Sequence, residues 1–256
     1  MKRLGWVLTT GIMVLLWTGC AGSKPENEMD FEARFKKGME YFEKKKYVQA
    51  QEEFNYVVLS GSHTEWGDDA MFYLGESYFL NKEYLLAINE YDRLTRRMMF
   101  SPFIEQARWR ICESYFKLSP EYYLDQENTH KAIDKIQEFL DDYPQSEYTE
   151  QANQMMIDLR NKLGRKVYET GILYIKLGAY DSALQAFQEV LKTYYDTEYV
   201  SRSYLGMMDA YCHMKQLEEA RSVYESHSQE LKDAALDQRA LSLLDKWERK
   251  LNKSRS

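Results

Sequence analysis

The chain has 256 residues, a formal charge of −7 and only 12 Gly and 4 Pro, about half the usual share of these turn-forming residues. Such a composition excludes an all-β sandwich or barrel and favours long helices, while 44% hydrophobic and 14% aromatic residues exclude a disordered chain. The acidity argues against nucleic acid or an anionic membrane surface as the main partner, because both require clustered positive charge.

Residues 1–19 are predicted to form a lipoprotein signal peptide. Lys2 and Arg3 precede a mostly apolar stretch that is shorter than the roughly 20 residues of a membrane span. The small residues before Cys20 resemble a bacterial lipobox, in which the leader is cleaved and the cysteine thiol receives a lipid, although Trp17 stands where Leu is usual. The alternative is an ordinary secretory leader with an incidental cysteine. Residues 20–30 are polar and predict a lipid-anchored tether.

Residues 31–230 contain five copies of one motif. Each copy has a Gly or another narrow side chain, which we call the slim residue, and a Tyr three positions later. An Ala follows, and four positions after the Ala there is a large side chain. The Tyr and Ala positions are Tyr41, Tyr78, Tyr115, Tyr174 and Tyr211, and Ala50, Ala87, Ala132, Ala183 and Ala220. This is the tetratricopeptide pattern, in which pairs of antiparallel helices stack on one another. The predicted fold is an all-α, right-handed α-solenoid with repeats at about 31–64, 68–101, 105–145, 164–197 and 201–230.

Two insertions interrupt the period. Repeat three has eight additional residues, which predict a loop over 118–130, and a further 14 residues precede repeat four. Residues 146–163 keep helical periodicity, so they predict additional helix that is either continuous with repeat four or kinked at Gly164. Residues 231–256 combine an apolar stripe with a charged face, which predicts a capping helix and a tail.

The sequence displays no catalytic or metal-binding pattern. The four His are scattered, and the adjacent acidic pairs diverge on a helix, so they cannot act as acid and base together. Cys112 and Cys212 lie on predicted first helices and are expected to be core or groove thiols. We therefore expect a protein that is not an enzyme, with no catalytic residue, no metal and no cofactor apart from a covalent lipid on Cys20.

Large aromatics recur on the first helices of repeats one to three. With the slim residue numbered 8, position 5 is Phe35, Phe72 and Trp109, and position 12 is Phe42, Phe79 and Phe116. The packing positions of the motif are 4, 7, 8, 11, 20, 24 and 27, so positions 5 and 12 are expected to face the concave groove. Arg110 and Lys117 would stand at its edge. These residues predict a peptide groove that takes aromatic side chains and neutralises a terminal carboxylate. The alternative is that the aromatics pack against the tether or neighbouring helices.

The chain from Cys20 to about residue 230 resembles the BamD family of outer-membrane lipoproteins, which serve the β-barrel assembly (Bam) machinery. The resemblance rests on the lipobox, the five repeats and two further regions: Ser119-Pro120 through residues 142–148, and Leu177-Gly178-Ala179-Tyr180 with residues 195–197. The sequence departs from the family at Tyr195, where Pro is usual, and over residues 60–64, which lack the usual Pro.

The resemblance implies that the N-terminal repeats receive the C-terminal signals of unfolded outer-membrane proteins, which are rich in aromatics. It also implies that the C-terminal repeats dock on the periplasmic domains of BamA within a complex with other Bam subunits, at the periplasmic face of the outer membrane. Arg202 and Tyr204 are docking candidates chosen by position alone. The alternative function is another cell-envelope tetratricopeptide lipoprotein that scaffolds cell-wall or Tol–Pal-type machinery.

Overall fold

A computed structural model describes the backbone of residues 26–255 and the side chains of residues 30–253. This part of the chain forms eleven α-helices and no strand. The helices are α1 Glu26–Glu43, α2 Tyr47–Ser60, α3 Gly67–Leu80, α4 Tyr84–Arg97, α5 Ile104–Leu118, α6 Glu127–Asp142, α7 Thr149–Leu177, α8 Tyr180–Thr193, α9 Tyr199–His213, α10 Leu217–Asp233 and α11 Asp237–Arg255. Each of these eleven helices is too short or too polar to cross a lipid bilayer.

The first ten helices form five antiparallel pairs, and each pair packs against the next along the chain. The tetratricopeptide α-solenoid predicted from the repeats is confirmed. Because the odd-numbered helices of neighbouring pairs run in the same direction, their first turns all lie along one edge of the solenoid. The turns between repeats lie along this same edge, and the turns within repeats lie along the opposite edge.

The slim and Ala positions allow the two helices of a pair to approach closely. A Cβ on Gly38, Gly75 or Gly171 would lie only 2.5–2.6 Å from a ring carbon of the aromatic residue on the second helix. The five Ala residues of the motif are fully buried, at 0% exposure. Any larger side chain at either position would overlap atoms of the partner helix.

The insertion before repeat four extends its first helix. α7 runs from Thr149 to Leu177 as one helix of 29 residues, so it is continuous through Gly164 rather than kinked there. Gly164 lies against the turn after α8, where an added Cβ would come within 2.9 Å of the Thr197 hydroxyl. Arg160 fixes the same turn through two hydrogen bonds to the carboxylate of Asp196, at 2.6 and 2.7 Å.

Two predicted boundaries shift in the structure. α1 begins at Glu26, inside the segment 20–30 predicted as a tether, because a polar composition does not prevent helix formation ahead of a packed amphipathic stretch. At the other end, α10 continues to Asp233 and the capping helix α11 begins only at Asp237. Leu231 is fully buried on α10, so its apolar side chain belongs to repeat five and not to the cap.

Candidate functional site

The position-5 aromatics are buried, and the prediction that they line an open groove is wrong. Phe35, Phe72 and Trp109 are 8%, 3% and 2% exposed. Each packs against an aromatic residue that immediately precedes the next first helix. Phe35 contacts Trp66 in a tilted arrangement with ring centroids 5.1 Å apart, whereas Phe72 stacks on Phe103 at 4.4 Å and Trp109 stacks on Tyr148 at 5.0 Å. These side chains therefore join successive repeats and are not available to a ligand.

A spacing in the sequence could have revealed this packing. Trp66 follows Phe35 by 31 residues, and Phe103 follows Phe72 by the same interval. Tyr148 follows Trp109 by 39 residues, and the difference equals the eight-residue insertion in repeat three. Paired aromatics at a constant offset across a repeat boundary indicate a contact between repeats.

The position-12 aromatics are only partly buried and form what we call the aromatic strip: Phe42, Phe79 and Phe116. Phe42 contacts Tyr73 of the next first helix, with ring centroids 5.5 Å apart. The Phe79 ring lies 4.8 Å from the guanidinium carbon of Arg110, which occupies the position of Tyr73 one repeat later. The strip thus crosses the first helices of three repeats and keeps part of each ring in contact with solvent.

Arg110 is occupied by ion pairs, so the prediction that it would neutralise a ligand's carboxylate is wrong. Its Nε and Nη2 donate to the two carboxylate oxygens of Glu76 at 2.7 and 2.9 Å, and its Nη1 donates to Glu113 at 2.7 Å. Burial alone would lower the pKa of Arg110, but the bonds to Glu76 and Glu113 outweigh it and raise that pKa. The buried hydroxyl of Tyr91 also donates to Glu76, at 2.5 Å, so this network ties repeats two and three together.

Lys117 is the predicted edge cation that remains available. It is exposed near the end of α5, one residue after Phe116. No carboxylate among the side chains of residues 30–253 forms an ion pair with it. The end of the aromatic strip therefore has a free positive charge beside it.

The two docking candidates do not share a surface. Arg202 is exposed on α9, donates to Glu198 at 3.1 Å and lies over the ring of Tyr199. Tyr204 is partly buried and stacks on His227 with ring centroids 3.7 Å apart, and its burial raises its pKa. Residues two apart on a helix project in different directions, so Arg202 and Tyr204 present no common contact patch.

A cleft in the C-terminal half was missed by the sequence reasoning. It has a volume of about 280 Å³ and lies between α7, α9 and α11. Tyr168, Ile172, Leu205 and Leu243 supply apolar walls, and Arg239 and Lys246 of α11 border the opening. In the sequence both cations belong to the charged face predicted for the capping helix. Their location depends on how α11 packs across the first helices, which periodicity within α11 does not reveal.

The described side chains offer little reactive chemistry. Within residues 30–253 there is no group of three His, Cys, Asp or Glu that could hold a metal ion. Cys112 and Cys212 are buried free thiols, and burial raises the pKa of Cys112 to about 12 and that of Cys212 to about 11. At neutral pH both are protonated and shielded, as expected of core thiols. Cys20, the predicted lipidation site, lies outside the described residues.

Solved structures with a similar chain path include tetratricopeptide domains. The chain aligns with the TPR2AB domain of yeast Sti1 in its pHSP90 complex at 15% identity, covering 89% of this chain and 93% of that one, with a TM-score of 0.43. It aligns with the TPR domain of P58(IPK) at 16% identity, covering 89% and 67%, with a TM-score of 0.45.

Sequence comparison identifies the family. The chain is 33% identical over 87 residues to the outer membrane protein assembly factor BamD of Vibrio cholerae, and this alignment spans 34% of the chain and 36% of that relative's length. Residues 27–226 match the family described as YfiO, outer membrane lipoprotein. The match covers the first four repeats and most of the fifth, so the chain belongs to the YfiO family of outer membrane lipoproteins.

Proposed function

We propose that this protein is a lipid-anchored adaptor of the outer-membrane β-barrel assembly machinery and that it is not an enzyme. Membership of the outer membrane lipoprotein family supports this function, as does the similarity to a relative named as an outer membrane protein assembly factor. In this proposal Cys20 holds the lipid, and the solenoid lies at the periplasmic face of the outer membrane.

We propose that the aromatic strip receives the C-terminal segments of unfolded outer-membrane proteins. The observation that carries this proposal is the row of partly exposed rings of Phe42, Phe79 and Phe116 across three successive first helices. Such a row suits an extended peptide with aromatic side chains, because offset and edge-to-face ring pairs add stability to apolar burial. Lys117 is the cation assigned to the peptide's terminal carboxylate, since Arg110 is occupied by Glu76 and Glu113.

The C-terminal repeats are proposed to dock on the periplasmic domains of BamA. Arg202 is exposed on α9, and Arg239 and Lys246 border the apolar cleft beside α11. A partner surface with carboxylates around an apolar projection would complement these groups. Tyr204 is left out of this surface because its ring is stacked on His227.

The alternative is a scaffold for cell-wall or Tol–Pal-type machinery that uses the same solenoid. Depletion of the protein in its native cell distinguishes the two functions. An assembly adaptor predicts lower levels of folded outer-membrane barrels after depletion, whereas a cell-wall scaffold predicts unchanged barrel levels.

Titration of the mature chain with a peptide that ends in an aromatic residue tests the receptor function. Phe116→Ala and Phe79→Ala should each weaken binding about tenfold, equivalent to about 1.4 kcal/mol of lost contact. Tyr123→Ala is the matched control, because this ring is 67% exposed in the loop after α5, outside the strip. Equal affinity for the wild-type chain and both Phe variants would refute the site.

A second arm tests Lys117. Converting the peptide's carboxylate to an amide should weaken binding roughly twofold to fivefold, as expected for an exposed ion pair. The same conversion should have no effect on the Lys117→Gln variant. An equal loss in both proteins would assign the carboxylate to another cation.

A further inference from the structure

The turn between α4 and α5 displays an apolar tip. Met99 is 72% exposed and Phe100 is 99% exposed. At the equivalent positions, four residues before the start of the next first helix, the other turns have His63, Gln145 and Tyr195. Tyr195 is also exposed, but the guanidinium of Arg160 lies 5.8 Å from its ring. Phe100 therefore stands out as a large apolar side chain held in water.

The tip is held in place by its own turn. The amide of Met98 donates to the carbonyl of Leu94 at 2.9 Å, and the amide of Ser101 donates to the carbonyl of Met98 at 2.8 Å. Phe103 closes the turn by stacking on the buried Phe72. Met99 and Phe100 thus project from a fixed backbone rather than from a frayed helix end.

This turn lies on the edge of the solenoid where α1 begins. Near the start of α1, Asp30 accepts a hydrogen bond from Tyr56 near the end of α2, and the ring of Phe31 packs on Gly61 in the first inter-repeat turn. Asp68, just after that turn, borders the same surface depression as Met99 and Phe100. A continuous line of contacts therefore leads from the start of α1 to the apolar tip.

The short length of chain between Cys20 and α1 keeps the proposed lipid anchor close to this edge. Six peptide links separate Cys20 from Glu26, and at no more than about 3.6 Å each they span at most about 22 Å. Successive first helices are roughly 10 Å apart, so the tip on the third is about 20 Å from the start of α1. A membrane that holds the lipid of Cys20 would extend over both points.

We propose that Met99 and Phe100 insert into the phospholipid surface that holds the anchor. This inference rests on the proposed lipidation of Cys20 and gives the solenoid a second point of membrane contact. Anchored proteins need such a second contact for a fixed orientation, because a lipid on a short tether allows rotation. The edge with the inter-repeat turns would then face the membrane, and the opposite edge would face the periplasm.

The charges beside the tip suit lipid phosphates. Arg96 and Arg97 end α4 directly before the tip, and both are exposed. Arg96 makes only a long contact of 3.5 Å with Asp92, and Arg97 has no ion pair within 4.0 Å among the side chains of residues 30–253. At a bilayer surface the lipid phosphates lie outside the acyl chains. Two cations next to an apolar projection can therefore contact phosphates while the projection contacts acyl chains.

An environment-sensitive fluorophore on Phe100→Cys tests the insertion. The purified lipoprotein is labelled with the thiol-reactive dye NBD and reconstituted into vesicles of zwitterionic phospholipid, with and without anionic phospholipid. Cys112 and Cys212 do not compete for the dye, because both are buried. Tyr123→Cys is the matched control, since this exposed side chain lies in a turn on the opposite edge.

Insertion predicts that the dye at position 100 shifts its emission to the blue and is quenched by nitroxide-labelled lipid. The dye at position 123 should keep the emission of a dye in water and should not be quenched. Emission typical of water at position 100 in both vesicle types would overturn the inference. Stronger quenching with anionic lipid would support the role of Arg96 and Arg97.

The same samples separate a failure of the anchor from a failure of the insertion. A wild-type chain that takes up the dye has a free thiol at Cys20, and a chain that does not float with vesicles has no anchor. Either result refutes the proposed lipidation. A chain that floats, but whose dye at position 100 remains in water, refutes the insertion alone.

Discussion

Phe72→Ala should destabilise the fold rather than simply remove a ligand contact. The Phe72 ring is 3% exposed, stacks on Phe103 at 4.4 Å and lies 6.1 Å from the ring of Tyr91. Truncating it leaves a cavity between repeats two and three. Core Phe→Ala substitutions cost about 3–5 kcal/mol, a large part of a total stability of roughly 5–15 kcal/mol.

The stacked architecture determines how this loss is observed. In a solenoid, stability is approximately the sum of repeat terms and nearest-neighbour terms, and Phe72 contributes to the interface between repeats two and three. A loss of this size lowers the melting temperature by roughly 6–20 °C at about 2–4 °C per kcal/mol. We expect α1–α4 to unfold before the remaining helices in a urea titration followed by circular dichroism.

Phe79→Ala is the matched control for this experiment. It removes the same side chain from the same helix, two turns away, at a position that is only partly buried. It should cost less than half as much stability as Phe72→Ala. Equal melting temperatures for the two variants, or loss of peptide binding by Phe72→Ala at an unchanged melting temperature, would refute the structural role of Phe72.

Three further predictions follow from the buried positions. Gly75→Ala places a Cβ 2.6 Å from a ring carbon on α4 and should cost about 1–3 kcal/mol in urea unfolding; a neutral effect would contradict the tight helix crossing. Burial raises the pKa of Glu90, so the folded state binds the proton of this carboxyl group more tightly than the unfolded state does. The free energy of unfolding therefore falls as pH rises above the unfolded pKa of about 4.3. Glu90→Gln should therefore raise the melting temperature at about pH 7 and change it little at about pH 3. A larger change at about pH 3 than at about pH 7 would refute the raised pKa of Glu90. Cys112 and Cys212 should react with maleimide only in urea, and labelling of either thiol in the folded chain would contradict their burial.

The repeat architecture could be predicted because its determinants are local and periodic. Gly75 and Ala87 pack within one helix pair, and their spacing recurs with the repeat. The same periodicity identified α7 as an extension of repeat four, although it could not decide whether Gly164 bends the helix. That outcome depends on Thr197 and Tyr194, which pack against Gly164 from the next turn.

The groove could be predicted only in part because its determinants cross repeat boundaries. Position 5 of the motif faces the next repeat, and whether Phe72 is exposed depends on Phe103 in a turn outside the motif. Arg110 looked free because its partner Glu76 is 34 residues earlier, on a neighbouring helix. Burial and pairing of this kind depend on the register between helices, which one helix's sequence does not specify.

Photo-crosslinking tests most directly whether the aromatic strip is the receptor site. A peptide with the sequence of an outer-membrane barrel's C-terminal segment has its last aromatic residue replaced by benzoylphenylalanine, and it is irradiated with the mature chain. If the aromatic strip is the receptor site, crosslinks form on α1, α3 and α5 around Phe42, Phe79 and Phe116, and they are lost when unmodified peptide competes. Crosslinks confined to α7–α11, or no more crosslinking than with a scrambled peptide, would contradict this location of the site.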